Sequence, residues 1–141
     1  MHILIDVQGY QSESKVRGIG RSTLAMSRAI IENAGEHRVS ILINGMYPID
    51  NINDVKMAYR DLLTDEDMFI FSAVAPTAYR HIENHGRSKA AQAARDIAIA
   101  NIAPDIVYVI SFFEGHSDSY TVSIPADNVP WKTVCVCHRS L

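Results

Sequence analysis

Apolar residues along this chain come in short runs parted by polar, glycine- and proline-bearing stretches, and the runs alternate between two periods. His2-Ile3-Leu4-Ile5-Asp6-Val7 is short, apolar and rich in β-branched side chains, the pattern of a central parallel strand covered on both faces. Residues 38–44, 67–71, 105–110 and 132–138 read as four further strands, of which 105–110 is the strongest. Between them the period becomes helical. Thr23, Met26, Ile30 and Ala34 fall on one helix face, and Gly35 is placed to stop that helix in the left-handed conformation. Residues 54–63 carry Val55, Ala58, Tyr59 and Leu62 at helical spacing, with Asn53 or Asp54 as cap. The last helix runs over 88–102, with Ala90, Ala91, Ala94, Ile97, Ala98 and Ile102 facing a sheet and Pro104 behind it as a stop.

Strands alternating with helices imply a parallel sheet with right-handed crossovers. The expected fold is α/β, a Rossmann-like doubly wound sheet of order 3-2-1-4-5. Such sheets bind ligands beyond the carboxyl ends of their strands, at the switch point between strands 1 and 4. Three stretches fall on that edge. They are the loop after strand 1 with its Gly18-Ile19-Gly20-Arg21, the loop Ser111-Phe112-Phe113-Glu114-Gly115-His116 after strand 4, and His138 at the end of strand 5.

The glycine-bearing turn opens a helix, where unpaired N–H groups and the positive end of the dipole favour an anion, and glycines let a phosphate approach. A Gly-x-Gly at this junction also occurs as a plain tight turn. The full dinucleotide fingerprint is missing, because Thr23 stands where its third glycine would be, and no Gly-Lys-Ser/Thr of a P-loop is present. The stretch 8–17 is long for a strand–helix connection, and Gln8, Tyr10, Gln11, Ser12, Glu13 and Ser14 read as a surface for a hydroxyl-rich ligand. Arg21 is either a solvated first-turn side chain or, since a cation there opposes the dipole, a partner for an anion. Glu114 and His116 read as loop surface or as site residues, and His138 as a strand-end histidine or as a catalytic one.

The bulk composition narrows the partners. The 141 residues are one domain's worth, 48% hydrophobic and 21% charged, which excludes a disordered chain. A net charge of −3 argues against nucleic acid as a partner. No run is long and apolar enough for a membrane span, and Met1 leads straight into a strand with no signal-peptide pattern, so a cytoplasmic location is expected. The two cysteines, Cys135 and Cys137, suit a reducing compartment. They share one strand face while His138 points to the other, so the three do not close a metal tetrahedron. His81 and His85 lack further ligands, and neither a metal nor a cofactor is expected.

MHILIDVQGYQ at the start, RGIGRSTL at 17–24, PDIVYVISFFEG at 104–115 and VCVCH at 134–138 together resemble the N-terminal domain of a family 4 glycosyltransferase. The likeness is greatest to the bacterial mannosyl- and rhamnosyltransferase-like enzymes that build surface polysaccharides, and it extends over nearly the whole chain. It implies a GT-B architecture, in which residues 1–141 are the acceptor-side domain and a second, donor-binding domain with a Glu-x7-Glu motif lies outside this chain. The resemblance places Gly18, Ile19, Gly20 and Arg21 against the donor diphosphate and gives His138 a catalytic position near the transferred sugar. Relatives continue His-Asp there, whereas Arg139 follows here. Gln8, Tyr10, Glu114, Gly115 and His116 are then the acceptor-side candidates.

The implied function is retaining transfer of a sugar from a nucleotide-sugar donor to a polysaccharide or glycolipid acceptor, with this chain inactive by itself. Peripheral association of the full enzyme with the inner face of the membrane, and self-association of the isolated domain, are further expectations. The alternative is a non-catalytic Rossmann- or flavodoxin-like ligand-binding module. A receiver domain fits poorly, because Asp6 lies inside the first strand and residues 72–76 offer no aspartate to phosphorylate.

Overall fold

In the computed structural model residues 1–12, 18–110, 119–123 and 128–136 are described. Five strands form one parallel sheet: β1 (His2–Asp6), β2 (Arg38–Asn44), β3 (Met68–Phe71), β4 (Ile106–Val109) and β5 (Lys132–Cys135). Their order is β3-β2-β1-β4-β5, as the alternating pattern predicts. β1 is central, with Ile5 opposite Ile41 on one side and Tyr108 on the other. The helices are α1 (Gly18–Glu32), α2 (Ile49–Tyr59) and α3 (His85–Ile102).

The two-residue period of the strands sorts the core into two layers. Ile5, Val7, Ile41, Ile43 and Ile110 pack under α1 and α2, joined by Val55 and Tyr59. Leu4, Leu42, Val107, Val109 and Phe71 point the other way and meet Ile99 of α3 and Trp131. The same alternation puts Asp6 on the α3 side, two residues on from Leu4. Between α1 and α2 the Ser27 hydroxyl and the Tyr59 hydroxyl lie 2.6 Å apart, and burial pushes the Tyr59 phenol up to about 12.

Two helices differ from the sequence reading. α2 begins at Ile49, five residues before the predicted start, and Asn53 and Asp54 are exposed positions inside it. Pro48 is the cap, extended at φ −58° and ψ 154°, and a residue that lacks an N–H loses nothing at a helix start. Asp50 in the first turn suits the dipole, and Ile52, Val55 and Tyr59 form the buried row. On α3 the buried residues are Ser88, Ala91, Arg95 and Ile99, whereas Ala90 is exposed and Ile97 is 63% exposed. The buried face keeps Ala91, Ala98 and Ile102 from the predicted one but is rotated toward Arg95, away from Ala90 and Ile97. Helix α1 leads to Gly35 at φ +60°, as expected of its stop. β5 closes one edge of the sheet with Val134 41% exposed. Among the described residues no helix is long and apolar enough to cross a membrane.

At the amino ends of the strands a polar chain crosses the sheet. The Ser40 hydroxyl donates to Asp67 at 2.8 Å, and the His2 Nε2 lies 2.8 Å from the Ser40 oxygen. With Ser40's one proton committed to Asp67, the ring is the donor through Nε2–H. Burial, and then the Arg38 charge, lower the His2 pKa below 6.5. A folded pKa below the unfolded one means that stability is fully present above pH 6.5 and is lost as pH falls through the folded pKa. Melting temperatures taken between about pH 8 and 5 should therefore drop more steeply for the natural chain than for His2→Gln. Parallel profiles would show that His2 carries no such linkage.

Candidate functional site

β1 ends at Asp6, and the chain turns at once into a short 3-10 turn, Gln8–Tyr10. The Asp6 carboxylate caps that turn by accepting the Gln8 N–H at 3.0 Å. Gly9 sits so close to α1 that a β-carbon there would lie 2.3 Å from the Thr23 Oγ1, which locks the turn against the helix. The turn also aims Gln8 and Gln11 inward.

A closed polar network results. Asp6 and Arg95 form an ion pair at 2.9 Å, 1% exposed at both residues. The Arg95 Nε and Nη2 both donate to Asp6 Oδ2, at 3.1 and 2.9 Å, while Nη1 donates to the Ser123 carbonyl and hydroxyl oxygens. The Gln8 Nε2 donates to the Asp6 carboxylate and, at 2.6 Å, to the Thr121 carbonyl. The Gln8 Oε1 accepts from the Thr121 N–H at 2.9 Å and from Asn44 Nδ2 at 2.7 Å. Gln11 pairs with the backbone of Asn44 through both ends of its amide and with Asn51 of α2. A buried carboxylate is tolerated only when paired and fully hydrogen-bonded, and here a guanidinium and an amide do that. Among the described residues, the hydroxyl of Thr121, a residue 2% exposed, is a buried side-chain oxygen left without a partner.

This arrangement corrects part of the reading made from the sequence. Gln8, Gln11 and Ser12 are 0%, 3% and 3% exposed, so they form the floor beneath the carboxyl edge and not a surface for a ligand. Gln8 in particular spends its whole amide on protein partners. Tyr10 is half-buried and packs against the α1–α2 core layer. The sequence pattern marks Asp6 only as a residue inside the first strand and gives Arg95, Asn44, Thr121 and Ser123 no place in the site. The available signal was Arg95 itself, four residues after Ala91 and four before Ile99 in a helix that must lie on a sheet.

Gly18, Ile19 and Gly20 form the first turn of α1 and not a turn preceding it. Gly18 and Arg21 are exposed, Gly20 is buried, and no acidic side chain occupies that turn. Positive helix-end potential and an exposed guanidinium thus coincide near the carboxyl edge of β1, an arrangement that can hold an anion. Glu114, Gly115, His116 and His138 lie outside the described residues. His81 and His85 do not converge on a common ligand. His85 stacks on Tyr79 with ring centroids 3.9 Å apart, and His81 faces Glu83. Beyond β3, a depression of about 360 Å³ is lined by Ser72, Ala73, Val74, Arg87, Ala90 and Ala91.

Over 138 residues the chain is 99% identical to a serotype-specific mannosyltransferase, WbdA, of Escherichia coli, a match that covers 98% of the chain and 16% of that protein. A second Escherichia coli protein of the same description is 94% identical over 113 residues, covering 80% of the chain and 14% of the relative. The chain thus spans less than a fifth of the length of the curated relatives it matches. No protein-family model and no solved structure matches it.

The ion pair makes a direct prediction. Arg95→Met leaves the Asp6 carboxylate buried with no cation, and should lower the unfolding free energy by about 3–5 kcal/mol. Asp6→Asn combined with Arg95→Met should recover part of that loss in a urea-denaturation double-mutant cycle. A single-variant loss under about 1 kcal/mol would mean that water reaches Asp6 and that the pair is not sealed.

Proposed function

We propose that this chain is the acceptor-side, Rossmann-like domain of a retaining GT-B mannosyltransferase that extends a polysaccharide or glycolipid from a nucleotide-sugar donor. The observation that carries the reading is the 99% identity to a mannosyltransferase across nearly the whole chain. The strand order supports it, since it brings the start of α1 and the end of β4 to one carboxyl edge.

In this reading the exposed first turn of α1 and Arg21 face the donor diphosphate. Charge builds up on the departing diphosphate as the sugar leaves, and preoriented N–H groups and a guanidinium stabilise it. In this reading His138 and the stretch Glu114-Gly115-His116 hold the sugar and the acceptor, and Tyr10 is a further acceptor-side residue. Gln8 supports that side of the cleft from below. Neither a metal nor another cofactor takes part. Donor binding draws on a second domain outside this chain, so residues 1–141 alone bind diphosphate weakly and do not turn over. The enzyme works in the cytoplasm, at the inner face of the membrane where a glycolipid acceptor would be presented.

The test uses the longer Escherichia coli transferase, a nucleotide-mannose donor and an oligomannoside acceptor. Arg21→Ala should reduce kcat by about tenfold or more while the melting temperature stays within a degree or two, because the residue is exposed. Equal turnover in the two proteins would remove the diphosphate role. Acceptor-dependent release of nucleotide by residues 1–141 at an ordinary enzyme rate would overturn the division of labour. Tight binding of flavin with a yellow colour would replace the transferase reading with a binding module.

A further inference from the structure

The segment 119–123 crosses the carboxyl edge of the sheet as a strap. It is tied at each step to a different element. The Ser119 carbonyl accepts from the Tyr47 hydroxyl, beyond β2, and the Ser119 hydroxyl accepts from the Thr77 N–H, beyond β3. Thr121 is held by Gln8, beyond β1, and Ser123 by Arg95 and Asp96 of α3. Tyr120, Thr121 and Ser123 are 3%, 2% and 9% exposed.

The central tie is unusual in kind. Gln8 receives the N–H of Thr121 and donates to its C=O, so one side-chain amide replaces the rung that a neighbouring strand would supply. An amide does this only in one orientation. The orientation is set by Asp6, which accepts from the Gln8 Nε2, and by Asn44, which donates to the Gln8 Oε1. Asp6 can serve as that acceptor in the dry interior only while Arg95 neutralises it.

We propose that Gln8, oriented by the Asp6–Arg95 pair, is a positioning residue that fixes the strap 119–123 over the carboxyl edge, and that the strap's placement sets the acceptor side of the cleft. The clause on the acceptor rests on the function proposed above; the clamp itself does not. Gln8 touches no substrate and acts through the Thr121 backbone.

Hydrogen exchange on the 141-residue chain tests the clamp. Gln8→Met keeps the bulk of the side chain and removes the rung, so protection of the Thr121 amide should fall by about tenfold or more while Ile5 and Ile41 in β1 and β2 keep theirs. Thr121→Val leaves the backbone rung and the unpartnered hydroxyl's space alone, and should leave protection in place. Gln8→Glu adds a second carboxylate beside Asp6, with Arg95 and Asp96 of α3 the other charges at this position. Its protection factor at Thr121 should be low when that glutamate is ionised and should recover as acid protonates it into a donor, a reversal that a purely steric role would not produce. Unchanged protection in Gln8→Met, equal loss throughout β1 and β2, or a pH-independent Gln8→Glu each overturns the clamp.

Kinetics of the longer transferase test the second clause. Gln8→Met should raise the acceptor KM by about tenfold and leave the donor KM unaltered. A loosened strap with an unchanged acceptor KM would confine Gln8 to the fold. Absence of sugar transfer in the natural longer protein would remove the function proposed above while leaving the exchange result to decide the clamp.

Discussion

A single charge placed where water cannot reach governs the carboxyl edge of this sheet. Asp6 ends the central strand on the α3 side, in a layer otherwise built from Leu4, Leu42, Val107 and Ile99. A carboxylate there would be protonated or expelled unless a cation came to it. Arg95 comes from the middle of α3, buried to 1% exposure. The helix face that packs on the sheet, the turn after β1 and the strap 119–123 each supply a partner to that pair. Buried ion pairs add little net stability over apolar replacements of the same volume, and their strongest use is to make one arrangement far better than its neighbours. Here the arrangement so selected is the edge at which a doubly wound sheet binds its ligands.

The two ends of the sheet are consequently unlike in chemistry. At the amino ends, His2, Asp67 and the exposed Arg38 form a polar chain around the buried Ser40 hydroxyl that reaches the surface. At the carboxyl ends, Asp6, Gln8, Asn44 and Arg95 are sealed. Ion pairs at the surface, such as Arg28 with Asp61, join α1 to the end of α2 but add little in high dielectric. The sealed, fully hydrogen-bonded end of the molecule is the one that carries the exposed first turn of α1, and a preorganised electrostatic site needs such a base.

The sheet was legible because runs such as Ile3-Leu4-Ile5 and Ile41-Leu42-Ile43 have one physical explanation, burial on both faces, and because helical periods fall between them. The helix around Thr23 and its stop at Gly35 were legible for the same reason. The start of α2 was not, since Pro48 reads as a loop residue until it is seen as a cap. Nor was the face of α3: a row of alanines suggests contact, while an arginine in the neighbouring row suggests solvent, and only a buried carboxylate on another element reverses that. Gln8 and Gln11 read as ligand-facing because amides prefer water. Their inward turn depends on Asp6, Asn44 and Thr121, whose nearness to one another appears only after the sheet is assembled.

The order of strands also bears on how the chain reaches this state. β1 precedes the other strands along the chain, and its partners come at very different distances from it: β2 pairs Leu42 with Asp6, and β4 pairs Val109 with the same residue. An emerging polypeptide can assemble β1, α1 and β2 early as a local unit, while contacts this remote in sequence are the slow ones to form. Throughout that interval Asp6 is a solvated carboxylate on an unfinished edge. α3 supplies Arg95 and Ile99, and the second core layer is complete only when Val107, Val109 and Trp131, which follow α3 in the chain, have joined them. A ribosome-bound chain ending short of residue 95 therefore lacks the cation that Asp6 pairs with in the finished sheet.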